Sequence, residues 1–475
     1  MITGASSATE AVPTGRFRRL RAADPVSALV YALIFVTAVS QVAIVPLLPD
    51  VAHRYALRAS ELAWVLTLPS IAMLVTSTPI GMLGDRWGNR RVTLAGAVVL
   101  TAGVVAQAVP SLGALVAARL LFGVGYGALW TTGLAWLAEG APAGAPRRIG
   151  MTVTASAVGS TVGPTLAGVL ASRFGFATPF LVAGGVSAVV TVALVARSRP
   201  LPRAHDAEVT GSAPAATGGR GTAGALRRPS VLAGALTLAL SGGVGALMQL
   251  LVPLQLHSAG AGAQSIGLVL SAAAIVYIVV SALAVHLGPR ITNRRSNAWM
   301  AALMAVALLP AVVGTGTAWV VTSLMVVVVP RAVTGTVAYS LATSEREEGA
   351  PGTGAVLGLL NTLWAVATVV APVAAGALKT AFDARTAYLA ALVVVAAVAA
   401  WLVRAARSES PVGAGSGAVR RRAGRAPGPA ASTPEWPAVA LHPPADRAPT
   451  GQWPVLTPEQ LSERPPTGPL PASRL

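Results

Sequence analysis

Long apolar runs separated by short polar segments make up most of this chain. A helix needs about 20 apolar residues to span a bilayer, and twelve runs approach or exceed that length. Gly and Pro within these runs do not exclude helices, because membrane helices tolerate both residues. The pattern predicts an all-α membrane protein with twelve transmembrane helices. The predicted spans are 26–48, 62–83, 91–110, 112–137, 149–171, 176–196, 231–255, 264–287, 297–315, 317–340, 353–377 and 385–405.

The sequence also contains an internal repeat. LGDRWGNRR at Leu83–Arg91 returns as LGPRITNRR at Leu287–Arg295, which is 204 residues later. Arg119 and Arg331 each precede a glycine by four residues, and GPTLAGVLASRF of the fifth span is matched by APVAAGALKTAF of the eleventh. These landmarks occur in the same order in both halves. They predict two homologous six-helix bundles, an organisation that secondary transporters use for alternating access.

The predicted domain organisation has five parts. The linker between the bundles is rich in Gly, Ala, Pro and Arg, so we expect it to be flexible. The last segment has few aliphatic runs, so we expect it to be disordered. In chain order, the parts are a cytoplasmic N-terminal segment (1–25), the first bundle (26–196), the linker (197–230), the second bundle (231–406) and a cytoplasmic tail (407–475).

Composition and charge support a membrane protein. Charged residues make up 11% of the chain, against about 25% in soluble proteins. The net charge of +18 would suggest nucleic acid in a soluble protein, but the arginines lie between apolar runs. With the N-terminus inside, the inner segments carry 19 Lys and Arg and the outer loops carry five. This bias predicts a multi-pass protein of the cytoplasmic membrane with both termini cytoplasmic. We expect a monomer in the lipid bilayer with no nucleic-acid partner.

Enzyme chemistry and bound cofactors are not expected. The chain has no cysteine, and its five histidines are scattered without metal-ligand spacing. The phosphate-binding pattern G-x-x-x-x-G-K-[ST] is also missing from the sequence, which argues against an ATP-driven pump. We therefore expect no metal and no cofactor, and an ion gradient as the source of energy.

The loop between the second and third spans carries a specific motif. GMLGDRWGNRR resembles the G-x-L-x-D-R-x-G-x-R-R loop signature of the major facilitator superfamily, and it keeps all the main positions. The resemblance implies a cytoplasmic latch that forms when the carrier faces outward, with Asp85 near the start of the eleventh helix and Arg90 near Glu139. The alternative is a basic loop that only sets topology. In the second copy, Pro289 replaces the acid, so we expect a weak latch there. The predicted latch residues are Gly81, Gly84, Asp85, Arg86, Gly88, Arg90, Arg91 and Glu139.

Arg119 lies inside the fourth span, in LVAARLLFGVGYG. A buried guanidinium is costly unless it is paired or hydrated. The spacing resembles the R-x-x-x-G-x-G signature of the same superfamily, which implies a role in proton coupling. The alternative is an arginine that extends to the outer surface or hydrates a cavity. Arg331 is its counterpart in the tenth span.

The fifth span contains GSTVGPTLAG, which resembles the G-x-x-x-G-P-x-x-x-G motif associated with antiporters of this superfamily. Small residues four apart allow close helix packing, and a proline bends the helix. The resemblance favours export over uptake, although Ala167 stands where a glycine is usual. The predicted packing residues are Gly159, Gly163, Pro164 and Gly168.

Acidic residues are missing from the middle of every predicted span. Many drug antiporters of the superfamily carry an acid within the first helix, where this chain has Ser40 and Gln41. Coupling by a central carboxylate is therefore not expected. Asp50, at the outer end of the first span, is the best coupling candidate among the acids. It could equally be an ordinary solvated acid.

The resemblance places the first, fourth, seventh and tenth helices around a central cavity, together with parts of the fifth, eighth and eleventh. These helices carry few fixed charges, so the predicted cavity is mostly apolar. Such a cavity suits lipophilic compounds that are neutral or weakly cationic. We expect a secondary active transporter, a proton-coupled exporter of drugs or secondary metabolites. The alternatives are an uptake symporter for a small nutrient and a receptor or sensor that does not transport. The candidate cavity residues are Tyr31, Gln41, Trp130, Gln249, Asn361 and Trp364, each of which could instead serve helix packing.

Overall fold

The computed structural model describes residues 25–140, 145–198, 228–287, 291, 293–314, 316–343 and 353–408, and these residues are almost entirely helical. Several sequence-based expectations fall outside this part of the chain. They concern the N-terminal segment up to residue 24, most of the linker, Pro289 and the tail from residue 409.

Among the residues that the structure describes, twelve helices occur where twelve spans are predicted. Eleven of them are long and apolar enough to cross a membrane. The exception is α3, whose first three residues include two arginines. The first six are α1 (Pro25–Tyr55), α2 (Ala59–Trp87), α3 (Asn89–Ala106), α4 (Leu112–Glu139), α5 (Ala145–Phe174) and α6 (Thr178–Arg197). The second six are α7 (Pro229–Ser258), α8 (Ala263–Leu287), α9 (Arg294–Val313), α10 (Thr317–Thr343), α11 (Thr353–Ala381) and α12 (Ala384–Ser408).

Helix α1 is longer than predicted. Its first part ends at Ala43, and a 3-10 turn at Val45–Leu47 leads into a second helical part, Leu48–Tyr55. Prolines at positions 46 and 49 remove backbone donors here, which explains the irregular turn. The sequence-based end at residue 48 is therefore wrong, and Asp50 belongs to the last two turns of α1.

The two ends of the bundle differ in charge. We call the end at which α2 meets α3 the Arg-rich end, and the opposite end the far end. Side-chain contacts fix this arrangement: Asn89 at the start of α3 meets Glu139 at the end of α4, while Ser60 at the start of α2 meets Thr380 at the end of α11. Contacts between the two halves run mainly through α5 with α8 and α2 with α11.

Hydrophobic packing joins the two halves at the far end. Ile44, Leu47 and Val51 of α1 belong to the same buried cluster as Leu250 and Leu251 of α7. Toward the Arg-rich end, the buried clusters of the described residues each belong to one half alone. The two bundles are therefore closed together at the far end and separate from each other toward the Arg-rich end.

Candidate functional site

The glycine motif of α5 lies where three helices pack closely. A Cβ atom on Gly159 would come within 2.5 Å of the Phe35 carbonyl oxygen of α1, and one on Gly163 within 2.5 Å of Val42. On the other side, Gly168 packs against the backbone of Ala263 in α8. The motif thus brings α5 against its own half and against the second half at once.

Pro164 belongs to the same contact between halves. Its carbonyl oxygen lies against Gly267 of α8, which has no side chain to block it. The next residue, Thr165, donates its hydroxyl to Ser271 Oγ at 2.8 Å and its backbone N–H to the same oxygen at 3.2 Å. The α5–α8 contact therefore combines close backbone packing with hydrogen bonds.

Arg119 is fully buried inside the first half. None of its surface is exposed. Its Nε donates to the Val65 carbonyl at 3.3 Å and its Nη2 to the Leu66 carbonyl at 3.1 Å. Its guanidinium lies 5.9 Å from the ring centroid of Phe122. Nη1 is buried without a hydrogen-bond partner among the described residues. The residue is held by α2 backbone oxygens rather than by an acid.

Arg331, its counterpart in the repeat, has a different environment. Its Nε donates to the Ser241 carbonyl of α7 at 2.8 Å, and its guanidinium lies 5.8 Å from the ring centroid of Tyr277 in α8. Gly245 leaves room for the guanidinium, since a Cβ there would collide with it. Arg331 is partly exposed. The repeat predicts the pair of arginines but does not distinguish their surroundings.

The loop at the Arg-rich end has the tight geometry that its glycines predict. Gly88 has a φ of 91°, a conformation that favours glycine. Gly84 is buried, and a Cβ there would lie 2.5 Å from Asn89 Oδ1 and 2.7 Å from Thr132 Cγ2. Beside it, the Thr93 and Thr132 hydroxyls are 2.9 Å apart. The loop therefore ties α2, α3 and α4 together.

The charged residues of this loop differ from the expected pairing. Glu139 Oε1 accepts a hydrogen bond from Asn89 Nδ2 at 2.6 Å, whereas Arg90 donates to the Ser198 carbonyl at the end of α6. Asp85 is exposed and has no hydrogen-bond or ion-pair partner among the described residues. Arg86 and Arg91 are also exposed, and Gly81 is open on its Cβ side. In this conformation, Asp85 does not contact α11.

The cavity candidates are divided between the halves. Trp364 is 44% exposed, and its indole covers Gly242 of α7, next to Ser241. Gln249 and Asn361 are exposed. In the first half, Tyr31 and Trp130 pack beside the hydrophobic cluster, and Gln41 Oε1 is buried without a partner among the described residues.

Sequence reasoning missed part of an aromatic stripe on α4. The Phe122 and Tyr126 ring centroids are 5.9 Å apart, and those of Tyr126 and Trp130 are 6.1 Å apart. Together with Arg119, these residues recur every three or four positions, which places them on one helix face. That spacing could have revealed the stripe. Tyr277 and Ser241 could not have been found this way, because they belong to other helices.

Asp50, the coupling candidate at the far end, is exposed. It forms no hydrogen bond or ion pair with any residue that the structure describes. Arg54, one turn further along α1, stacks on the ring of Phe176 with 4.9 Å between Cζ and the ring centroid. Asp50 and Arg119 therefore lie in separate environments in this conformation.

Two six-helix halves, packed together at one end and parted at the other, define a membrane carrier. The chain belongs to the Major Facilitator Superfamily, whose family model matches residues 30–353. The fold resembles a solved bacterial homologue of the human lysosomal transporter Spinster in an inward-facing, unoccupied conformation. The TM-score is 0.66 at 14% identity, over 80% of this chain and 96% of that one.

Curated relatives match over shorter regions. The chain is 33% identical over 138 residues to the multidrug resistance protein Stp of Mycobacterium tuberculosis, covering 28% of this chain and 26% of Stp. It is 27% identical over 136 residues to the riboflavin transporter RibZ of Clostridioides difficile, covering 28% of this chain and 30% of RibZ. The matches thus span less than a third of each relative. Family and fold are those of multi-pass membrane transporters of small molecules, not of enzymes.

Proposed function

We propose that this protein is a proton-coupled exporter of small lipophilic compounds, such as drugs or secondary metabolites. The observation that carries the proposal is the packing of the α5 motif. Gly159 and Gly163 lie against α1 while Gly168 lies against α8, so the motif that resembles antiporters forms the contact between halves. The relative Stp is a multidrug resistance protein by name, which supports the same direction of transport.

We also propose that the Arg-rich end faces the cytoplasm, because arginines accumulate on the cytoplasmic side of membrane proteins. In that orientation, the separated ends of the two halves open toward the cytoplasm. A compound could then enter from the cytoplasm or from the inner leaflet, which is the loading step that an exporter requires. We expect the carrier to act as a monomer.

Proton coupling would depend on Arg119 and Asp50. The described helices carry no acid at mid-depth, so a central carboxylate is not available as the proton carrier in this part of the chain. Arg119 is a buried cation held by two carbonyl oxygens of α2, so an approaching proton would change its electrostatic energy. Asp50 could exchange protons at the far end.

An uptake symporter for a small nutrient is the second candidate. The observation that favours it is the similarity to RibZ, which is named a riboflavin transporter. The two candidates predict opposite directions of flux for the same fold.

Accumulation assays in a host that lacks its own efflux pumps would test the proposal. Expression should lower the accumulation of at least one lipophilic dye or antibiotic, and a protonophore should abolish the difference. The same host carrying the empty vector serves as the comparison. Accumulation that rises on expression would instead favour uptake. Unchanged accumulation of every compound, together with binding of some of them, would favour a sensor.

A further inference from the structure

The interior of the described helices contains positive charge and no negative charge. Arg119 and Arg331 lie within helices α4 and α10, whereas the described acids lie near helix ends, at Asp50, Glu61, Asp85, Glu139 and Asp383. A charge at membrane depth is costly unless a partner or water compensates it. The question is therefore which group compensates each arginine.

The charge of Arg119 is partly compensated by hydrogen bonds within the protein. Two α2 carbonyl oxygens accept from it, and none of its surface is accessible. Its position in the first third of α4 also places it toward the far end, where the two halves are packed together. A ligand could not reach it in this conformation.

Arg331 is held but not neutralised. Among the described residues, only Nε has an acceptor, the carbonyl of Ser241. The guanidinium also lies over the aromatic ring of Tyr277. Its terminal nitrogens donate to no group that the structure describes, and they are not among the buried unpartnered atoms. Nη2 packs against the Cβ side of Gly245, but the residue as a whole is partly exposed. Part of a fixed cation is therefore accessible near the middle of α10.

Aromatic surface lies on the same stretch of α7 as the residue that accepts from this cation. Trp364 covers Gly242 of α7, and Ser241, which is the next residue, accepts from Arg331. The indole of Trp364 is 44% exposed and has no hydrogen-bond partner among the described residues. Ser241 itself is held in place, because its hydroxyl donates to the Arg331 carbonyl at 3.1 Å. Residues of α7, α8, α10 and α11 thus form one cluster, which we call the Arg331 cluster: Ser241, Gly242, Gly245, Tyr277, Arg331 and Trp364.

We propose that the Arg331 cluster binds the carboxylate of an amphiphilic aromatic substrate. The guanidinium would take the carboxylate through its two terminal nitrogens, a geometry that arginine favours, and the aromatic part would lie against Trp364. This inference rests on the proposed transport function. It differs from the sequence-based expectation of neutral or weakly cationic compounds, since an uncompensated cation repels a cationic substrate.

Binding measurements on the purified full-length protein test the proposal without requiring transport. Isothermal titration would compare acids with their uncharged primary amides: 3-phenylpropanoate with 3-phenylpropanamide, and 2-naphthoate with 2-naphthamide. At least one acid should bind roughly 10- to 100-fold more tightly than its amide, the range expected for hydrogen bonds between charged groups. Arg331→Gln should remove the preference, and Arg331→Lys should keep only part of it. Arg404→Gln removes an exposed arginine of α12 and should leave the preference unchanged.

The outcomes separate this inference from the proposed function. If no acid binds more tightly than its amide to the wild-type protein, or if the preference survives Arg331→Gln, the anion site is wrong. The wild-type comparison remains decisive if Arg331→Gln does not fold. Protonophore-sensitive export without any preference for acids would leave the exporter proposal standing and remove the anion site. A preference that depends on Arg331, without such export, would keep the site and remove the exporter.

Discussion

Arg119 occupies the hydrogen-bonding position that Pro69 leaves empty in α2. Proline has no backbone N–H, so the carbonyl four residues earlier loses its helical donor. That carbonyl belongs to Val65, and Arg119 Nε donates to it at 3.3 Å. Gly123, one turn beyond Arg119, packs against the Pro69 carbonyl oxygen. A proline in one helix and an arginine and a glycine in another thus form one unit.

Pro69→Ala should lower transport while keeping the protein folded. The alanine supplies an N–H to the Val65 carbonyl, so Arg119 must compete for that acceptor. Removing a proline from a helix interior does not weaken the helix, so the melting temperature should stay the same or rise. Pro79→Ala is the matched control, because Pro79 lies in the same helix and is exposed. Efflux rates and melting temperatures of both variants, measured side by side, check this. Equal efflux by the two variants would contradict the proposed unit.

The two interior arginines should affect different steps. Arg119→Lys loses at least one of its bonds to the α2 carbonyls, and a hydrogen bond from a charged group is worth about 1.5–3 kcal/mol. We expect proton-driven efflux to fall about tenfold or more, with unchanged binding of an aromatic acid. Arg331→Lys should weaken binding of the acid first. Titration and efflux assays on both variants check the difference, and identical effects on binding would show that the two environments are functionally the same.

A disulfide should trap the conformation described above. Ser60 Oγ and Thr380 Oγ1 are 3.3 Å apart at the far end, so two cysteines there could approach the disulfide S–S distance of about 2.05 Å with little movement. The chain has no cysteine of its own, so the result would not be confused by other thiols. The double variant Ser60→Cys/Thr380→Cys should lose transport on mild oxidation and regain it with a reductant. The single variants should ignore both treatments. Full transport by the oxidised, crosslinked protein would mean that the far end need not open.

Asp85→Asn should impair transport with little effect on folding or membrane insertion. In this conformation, Asp85 has no partner among the described residues, and we expect it to gain one only when the Arg-rich end closes. If that contact stabilises the closed Arg-rich end by about 1–3 kcal/mol, its loss would shift the ratio of the two conformations roughly 5- to 150-fold. Purified protein in proteoliposomes would give the rates.

Asp383→Asn is the control for that variant. Asp383 is an exposed acid before α12, where its Oδ1 accepts from the Thr386 backbone N–H and hydroxyl, both at 2.7 Å. Asparagine keeps the capping function and removes the charge, so transport should be nearly normal. Wild-type transport by Asp85→Asn would show that Asp85, Arg86 and their neighbours only determine topology.

The positions of the helices could be predicted from the sequence because membrane helices are marked by length and hydropathy alone. Most predicted ends lie within a few residues of the observed ones. The predicted end of α1 at residue 48 is where the apolar run stops, whereas the chain passes through a 3-10 turn and continues as a helix to Tyr55. A local pattern does not show whether an irregular turn ends a helix or only interrupts it.

The surroundings of the functional side chains could not be predicted in the same way. The sequence repeat matches Arg119 with Arg331, but Arg119 lies in the first third of α4 and contacts α2, whereas Arg331 lies near the middle of α10 and contacts α7 and α8. The difference depends on partner helices distant in sequence. Glu139 likewise pairs with Asn89 instead of Arg90, because the turn at Gly88 determines which neighbour faces α4. The latch and coupling assignments themselves stay predictions.

The shared hydrophobic core at the far end has a thermodynamic consequence. Opening that end would expose buried side chains such as Leu47, Val51 and Leu250, and exposure of apolar surface raises the heat capacity. The equilibrium between the two conformations should therefore have a curved temperature dependence. We expect separation of the halves at the far end to be the energetically costly step of transport, and in the proposed proton-coupled cycle, ligand binding and the proton gradient would supply the free energy for it.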